Sequence, residues 1–205
     1  MHKNSLTAFK AVVFVLCLLP TARLIFFAFT DQLGANPIEF AIRSLGTWAL
    51  TLLLVTLSIT PLRRLTGWNS LIRLRRLLGL FAFFYASLHF LTYAGIDQFF
   101  DLRAILTDII KRPYITVGLF CFVLLIPLAV TSTNAMQRRL GGRRWQLLHR
   151  LVYLIAAGGV LHYFQLVKKD ITQPVLYGLV LSLLLGVRLW WRWQAARAPV
   201  NRPPG

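Results

Sequence analysis

Acidic residues are scarce: 6 Asp and Glu stand against 23 Lys and Arg in 205 residues, a net charge of +17. With 57% hydrophobic residues and a mean hydropathy of +0.64, the chain has too little polar surface for a soluble globule of this length. Cysteine is nearly absent. Cys17 and Cys121 fall in different apolar stretches, which excludes a CxxC redox pair or a zinc site and leaves them as packing residues. There is no GxGxxG, no P-loop and no nicotinamide-binding unit, so any hydride donor must be processed by another chain. The apolar stretches hold no Asp or Glu, and the layout shows no inverted repeat. Both absences count against a proton-coupled transporter or channel using histidines as a relay.

What the chain does have is six stretches that meet the ~20 apolar residues of a spanning helix: Ala8 to Phe29, Ser44 to Thr60, Leu77 to Tyr93, Pro113 to Val130, Leu147 to Val167 and Pro174 to Trp193. The pattern predicts an all-α integral membrane protein, a six-helix transmembrane bundle over residues 1–198 with a short tail at 199–205. Lys3 and Lys10 precede the first stretch as they would in a signal peptide. No small-x-small cleavage pattern follows, so it reads as an uncleaved span. The tail, with Pro199, Pro203 and Pro204, reads as disordered.

Lys and Arg are retained on the cytoplasmic side of a membrane. The segments Pro61 to Arg76 and Thr131 to Gln146 carry Arg63, Arg64, Arg73, Arg75, Arg76, Arg138, Arg139, Arg143 and Arg144 and no acid, and the tail adds Arg197 and Arg202. Asp31, Glu39, Asp97, Asp101, Asp108 and Asp170 fall in the other three loops. Both termini are therefore expected in the cytoplasm, in a multi-pass membrane protein. Trp68, Trp145, Trp190, Trp191 and Trp193 mark the inner interface, and Tyr93, Tyr114 and Tyr163 the outer one. Topology and anionic lipid account for the positive charge, without nucleic acid.

One loop has its own period. In Phe99 to Ile110, Phe99, Leu102, Ile105, Leu106, Ile109 and Ile110 recur at helical spacing, which predicts an amphipathic helix on the outer surface, either an interfacial anchor or a shelf for an external partner.

Three histidines lie inside apolar stretches, where an ionisable side chain needs a reason. His89 and His162 fall at similar depth in the outer halves of the third and fifth spans. Two neutral imidazoles facing each other suit the axial positions of an iron porphyrin. Leu80, Phe83, Phe84, Tyr85 and Leu88, with Ala156, Ala157, Gly158 and Gly159, are candidates for the apolar slot. His149 precedes His162 by 13 residues, about 20 Å of helix, and belongs to the inner leaflet. A haem beneath the first would want a ligand near position 75 or 76, and Arg75 and Arg76 stand there. Arginine offers donors only, so these residues are suited to propionates or a flavin phosphate, or simply to inside charge. Arg23, in the outer half of the first span, either snorkels or pairs with a propionate.

The segments Arg75-Arg76-Leu77-Leu78-Gly79-Leu80 leading to His89, Lys111-Arg112-Pro113-Tyr114-Ile115-Thr116, Thr131-Ser132-Thr133-Asn134 and Trp145-Gln146-Leu147-Leu148-His149-Arg150-Leu151-Val152-Tyr153 together resemble the MsrQ (YedZ) family over nearly the whole chain. This family comprises haem-binding membrane subunits of the bacterial periplasmic methionine sulfoxide reductase system. It is related to the ferric reductase and NADPH oxidase transmembrane domains. The resemblance implies electron transfer from a cytoplasmic flavin reductase or the quinol pool, through b-type haem and with FMN as a further cofactor, to the periplasmic molybdopterin reductase MsrP, which reduces methionine sulfoxide in oxidised proteins. It implies His89, His149 and His162 as haem-associated histidines. Against the wider superfamily, the inner histidine of the third span is replaced by arginine. The expected arrangement is an outer haem on His89 and His162 and an inner flavin or haem site involving His149 and Arg75. A structural subunit that only anchors a periplasmic enzyme is the remaining non-redox reading.

Overall fold

The computed structural model describes residues 3–197, with side chains described from Leu6 onward. The tail at 199–205, with Arg202, lies outside the described residues. The described chain is all-α and holds six helices long and apolar enough to cross a membrane, the architecture expected from the hydropathy pattern. The helical segments are α1 (Lys3–Phe29), α2 (Pro37–Thr66), a 3-10 turn (Asn69–Leu74), α3 (Arg75–Leu91) ending in a π turn (Thr92–Asp97), α4 (Leu102–Lys111), α5 (Pro113–Val130), α6 (Asn134–Leu140), α7 (Gly142–His149), α8 (Leu151–Leu166) and α9 (Thr172–Arg197).

α2 is the axis of the bundle. Half of its apolar window is buried, more than in any other span. Leu45, Leu50, Leu52, Leu53, Leu54, Leu57 and Ile59 are buried around its circumference, because other helices cover it on several sides. It runs 30 residues, well beyond the 44–60 stretch that hydropathy alone marks. Its extra turns carry polar ends that suit the helix dipole: Asn36 accepts from Glu39 N–H as the N-cap, Glu39 sits in the first turn, and Arg63 and Arg64 sit in the last before Gly67 closes the helix at φ 70°.

α2 packs mainly against α3 and α5 mainly against α8, and α3 with α5 and α2 with α9 tie the pairs together. Each pair begins with a helix descending from the acid-rich loops and continues with one returning to them. The site lies between the two pairs, toward the acid-rich end.

α1 is peripheral, with only 11% of its window buried. Its polar tie to the bundle is Tyr85 of α3, which is fully buried. The Tyr85 hydroxyl donates to Cys17 O at 2.7 Å and accepts from Thr21 N–H at 3.2 Å and Thr21 Oγ1 at 2.9 Å, next to Pro20.

The amphipathic helix begins later than its apolar period suggests. Phe99 and Phe100 adopt left-handed backbone, φ 49° and 57°, and the helix starts at Leu102 with Asp101 accepting from Arg103 N–H and Ala104 N–H. The cap residue overrides the apolar repeat. Leu102, Leu106 and Ile110 are exposed, while Ile105 and Ile109 along the same apolar stripe line the cavity described below.

Candidate functional site

The α2–α3 and α5–α8 pairs enclose a cavity of about 460 Å³. Its deeper part is lined by small and apolar side chains, among them Gly46, Leu50, Ala82, Ala86, Gly118 and Phe122. Toward the acid-rich loops the lining turns polar, with Asn36, Glu39, Arg43, Asp97, Arg112 and Tyr114. His89 and His162 face each other across it. Their ring centroids are 6.1 Å apart and their planes 82° apart.

Each ring is anchored from behind. His89 Nδ1 lies 2.8 Å from Ile42 O, and His162 Nδ1 lies 2.6 Å from Tyr114 O. A carbonyl oxygen can only accept, so both Nδ1 atoms carry the proton, and in the neutral imidazole Nε2 then keeps its lone pair. Among the described residues neither Nε2 has a hydrogen-bond partner, and neither is sealed from open space, so both lone pairs address the cavity. A second-sphere carbonyl on the far nitrogen is the arrangement that orients a metal-ligating histidine.

The slot is not built from the bulky residues suggested by the sequence. Leu80 and Phe84 are exposed on the outer face of α3, Tyr85 is committed to α1, and Phe83 stacks on Phe122 at 6.0 Å. Ala82 and Ala86 line the cavity instead, seven and three residues before His89 and so on its helical face. On α8, Gly159 lines the cavity, with Ile155 beside it on the His162 face, and Ala157 is exposed. Cys121 also borders the cavity, and Tyr93, Tyr114 and Tyr163, expected as an interfacial belt, belong to its wall.

At the mouth, two arginines are held in matching ways. Arg43 pairs with Glu39 at 2.6 Å, and Glu39 is fixed by Asn36 Nδ2 at 3.0 Å. Arg112 pairs with Asp108 at 3.1 Å, and Asp108 accepts from the Tyr93 hydroxyl at 3.2 Å. The nearby Tyr114 hydroxyl and Asp108 both raise the pKa of Arg112, Tyr114 more strongly.

His149 lies in a separate cluster at the basic end. α7 ends at His149 and α8 begins at Leu151, so Arg150 marks a break within the fifth span. The His149 ring stacks on Trp145, centroids 4.0 Å apart, and its Nε2 lies 3.1 Å from Thr131 Oγ1. Trp145 Nε1 donates to Thr131 O at 2.9 Å, so Trp145 is a support for His149 as well as an interfacial residue. Arg75 is near enough to act electrostatically on His149 and on Arg188, and Arg76 donates to Asn134 Oδ1 at 2.7 Å. No histidine is seen paired with His149 among the described residues. Arg23 joins neither cluster. It lies over the Phe27 ring at 4.8 Å, on a groove along α1 lined also by Phe40, Ser44 and Trp48 from another face of α2.

Residues 45–160 match the family described as ferric reductase like transmembrane component. A protein-methionine-sulfoxide reductase heme-binding subunit MsrQ from Herminiimonas arsenicoxydans is 60% identical over 191 residues, which cover 92% of this chain and 88% of that protein. The protein of the same name from Ralstonia nicotianae is 55% identical over 196 residues, covering 95% and 90%. The chain belongs to the MsrQ family. It is thus a multi-pass membrane protein of a redox family, and the residues that sequence reasoning missed can be set within an MsrQ frame. They are Gly46 and Gly118, on which the two rings rest, the carbonyls of Ile42 and Tyr114, and the mouth arginines Arg43 and Arg112. A main-chain carbonyl has no sequence signature. Each glycine follows the anchoring carbonyl by one helical turn, a relation that only the structure reveals.

Proposed function

We propose that this MsrQ-family chain is a transmembrane electron carrier that holds b-type haem between His89 and His162. The carrying observation is the pair of lone pairs aimed at one cavity from rings 6.1 Å apart. An imidazole nitrogen bonds a metal at about 2 Å and its ring centre lies roughly 1.2 Å behind it, so two rings on one ion stand roughly 6 Å apart. The apolar slot between them suits a flat macrocycle, and the names of the relatives, heme-binding subunits, agree with this reading. When bound, the iron supplies a one-electron couple. The protein supplies the rest: Ile42 and Tyr114 fix both tautomers, the small residues admit the ring, and α4 covers the mouth.

Electrons enter, on this reading, from a cytoplasmic flavin reductase or the quinol pool and leave to the periplasmic molybdopterin reductase MsrP, which carries out the reduction of methionine sulfoxide in oxidised proteins. Residues 1–198 act as one electron-transfer domain in the bacterial inner membrane of a Gram-negative cell, both termini in the cytoplasm, as the asymmetry of Lys and Arg supports. The hydrocarbon layer is ~30 Å thick, so one redox group near the periplasmic face calls for another near the cytoplasmic face. The cluster of His149, Arg75 and Arg76 is assigned to that inner group, FMN or a second haem, with the guanidiniums for a phosphate or propionates. Arg23, turned to another groove, is read as an interfacial cation.

An absorption spectrum of the purified protein is the test. A Soret band with sharp α and β bands after dithionite is expected, and the low-spin contribution of the haem held by His89 and His162 should vanish in His89→Ala and in His162→Ala. A colourless wild type, or an undiminished low-spin spectrum in both variants, overturns the assignment.

A further inference from the structure

The two cavity histidines are held by a device that occurs twice. On α2, Ile42 O accepts from His89 Nδ1, and four residues on Gly46 presents bare backbone to the same ring. A Cβ at Gly46 would stand 3.0 Å from both Cε1 and Nδ1 of His89. On α5, Tyr114 O accepts from His162 Nδ1, and four residues on a Cβ at Gly118 would stand 2.9 Å from the corresponding atoms of His162. Favourable contacts between heavy atoms fall near 3.5–4.0 Å, so any larger residue would push the ring aside.

The second side-chain torsion of histidine is broad, and a hydrogen bond at Nδ1 tolerates a range of distances and angles, so by itself it holds the ring plane only loosely. The glycine backbone removes that freedom by closing one face. Residues i and i+4 lie on one side of a helix, so carbonyl and glycine act on the same ring together. The outcome is a pair of imidazoles with planes 82° apart.

We propose that Gly46 and Gly118 are positioning residues that hold the two imidazole planes crossed and thereby set the electronic state of the iron gripped between them. The inference rests on the reading of His89 and His162 as haem ligands. Crossed axial rings direct their π orbitals at different iron d orbitals and leave those nearly degenerate, whereas parallel rings act on the same orbital and split the set. Low-spin ferric iron reports the difference as one very large g value for crossed planes and a rhombic signal for parallel ones. The glycines act only through the rings, so this signature separates positioning from simple packing.

The experiment is electron paramagnetic resonance of the oxidised full-length protein, beside Gly46→Ala, Gly118→Ala and the control Gly186→Ala, where an added Cβ meets open space. Wild type and G186A should give the single large g value, and G46A and G118A should move toward the rhombic signal with a shifted midpoint potential. If an alanine variant cannot hold haem, His89→Gly supplemented with free imidazole provides the same readout: with Ile42 O and Gly46 intact the untethered ring should keep the large g value, and with Gly46→Ala added it should lose it. A rhombic signal in wild type or in imidazole-supplemented H89G, or wild-type g values in the alanine variants, overturns the proposal. Failure of the haem assignment itself would look different: no ferric haem signal in wild type, or an unchanged one in both H89A and H162A.

Discussion

Arg188 on α9 donates to the main-chain oxygen of Leu57 on α2, the acceptor that lies four residues before Pro61. Proline has no N–H, so it removes the donor this carbonyl would meet in an uninterrupted helix. In a hydrocarbon layer no water replaces that donor, and the guanidinium supplies it. A second nitrogen of Arg188 donates to Leu184 O on its own helix, and the group lies 5.8 Å from the Tyr153 ring centroid. The half-buried cation is thus explained by a proline on another helix.

Replacing Arg188 by leucine leaves the Leu57 carbonyl unpaired, at a cost of about 1–3 kcal/mol. The midpoint of thermal unfolding in detergent should fall accordingly. Adding Pro61→Ala restores a helical donor for Leu57 and should recover part of the loss. If R188L with and without P61A unfolds at the same temperature, the pairing has no role in stability.

Tyr85→Phe removes three hydrogen bonds to α1 with little change in volume. A buried polar group left unsatisfied costs about 1–3 kcal/mol. The expected effect is a loosened α1, seen as faster cleavage or exchange in residues 6–29, with the haem content of the α2–α3 and α5–α8 pairs retained. Unaltered protection of α1 would show that apolar packing alone holds it.

Gly158→Ala drives a Cβ into Cys121 Sγ, across the tight α5–α8 contact. Overpacking of this kind costs about 1–3 kcal/mol. Cys121→Ala in the same chain removes the sulfur and should restore stability, measured again by thermal unfolding. Additive losses in the double variant would count against the contact.

His149→Ala should abolish the group assigned to the basic end and spare the haem proposed between His89 and His162. Pyridine haemochrome and flavin extraction count both cofactors in the same sample. The variant is expected to lose one haem or one flavin per chain while keeping the bis-histidine spectrum. Loss of neither would remove His149 from cofactor binding.

Much of the fold was legible because a membrane imposes long apolar runs and confines charge to their ends. The spans, the basic and acidic loops and the three histidines within apolar stretches could all be found by position alone. The wall of the slot could not. Bulky aromatics beside His89 looked like cofactor packing, yet Phe84 points away and Tyr85 serves α1, while Ala82 and Ala86 line the cavity. Small residues are silent in hydropathy, and their value here is the space they leave. The start of α4 was likewise hidden, since the apolar repeat runs through Phe99 while the backbone turns left-handed there and Asp101 begins the helix.

The order of residues by itself determined that this chain crosses the membrane six times and carries imidazoles at defined depths, because burial of apolar side chains and the cost of buried charge act on every residue wherever its neighbours come from. Only the tertiary structure decided which nitrogens are free. That choice depends on the carbonyls of Ile42 and Tyr114, on helices distant in sequence, which orient the two rings toward one cavity and leave His149 bonded to Thr131.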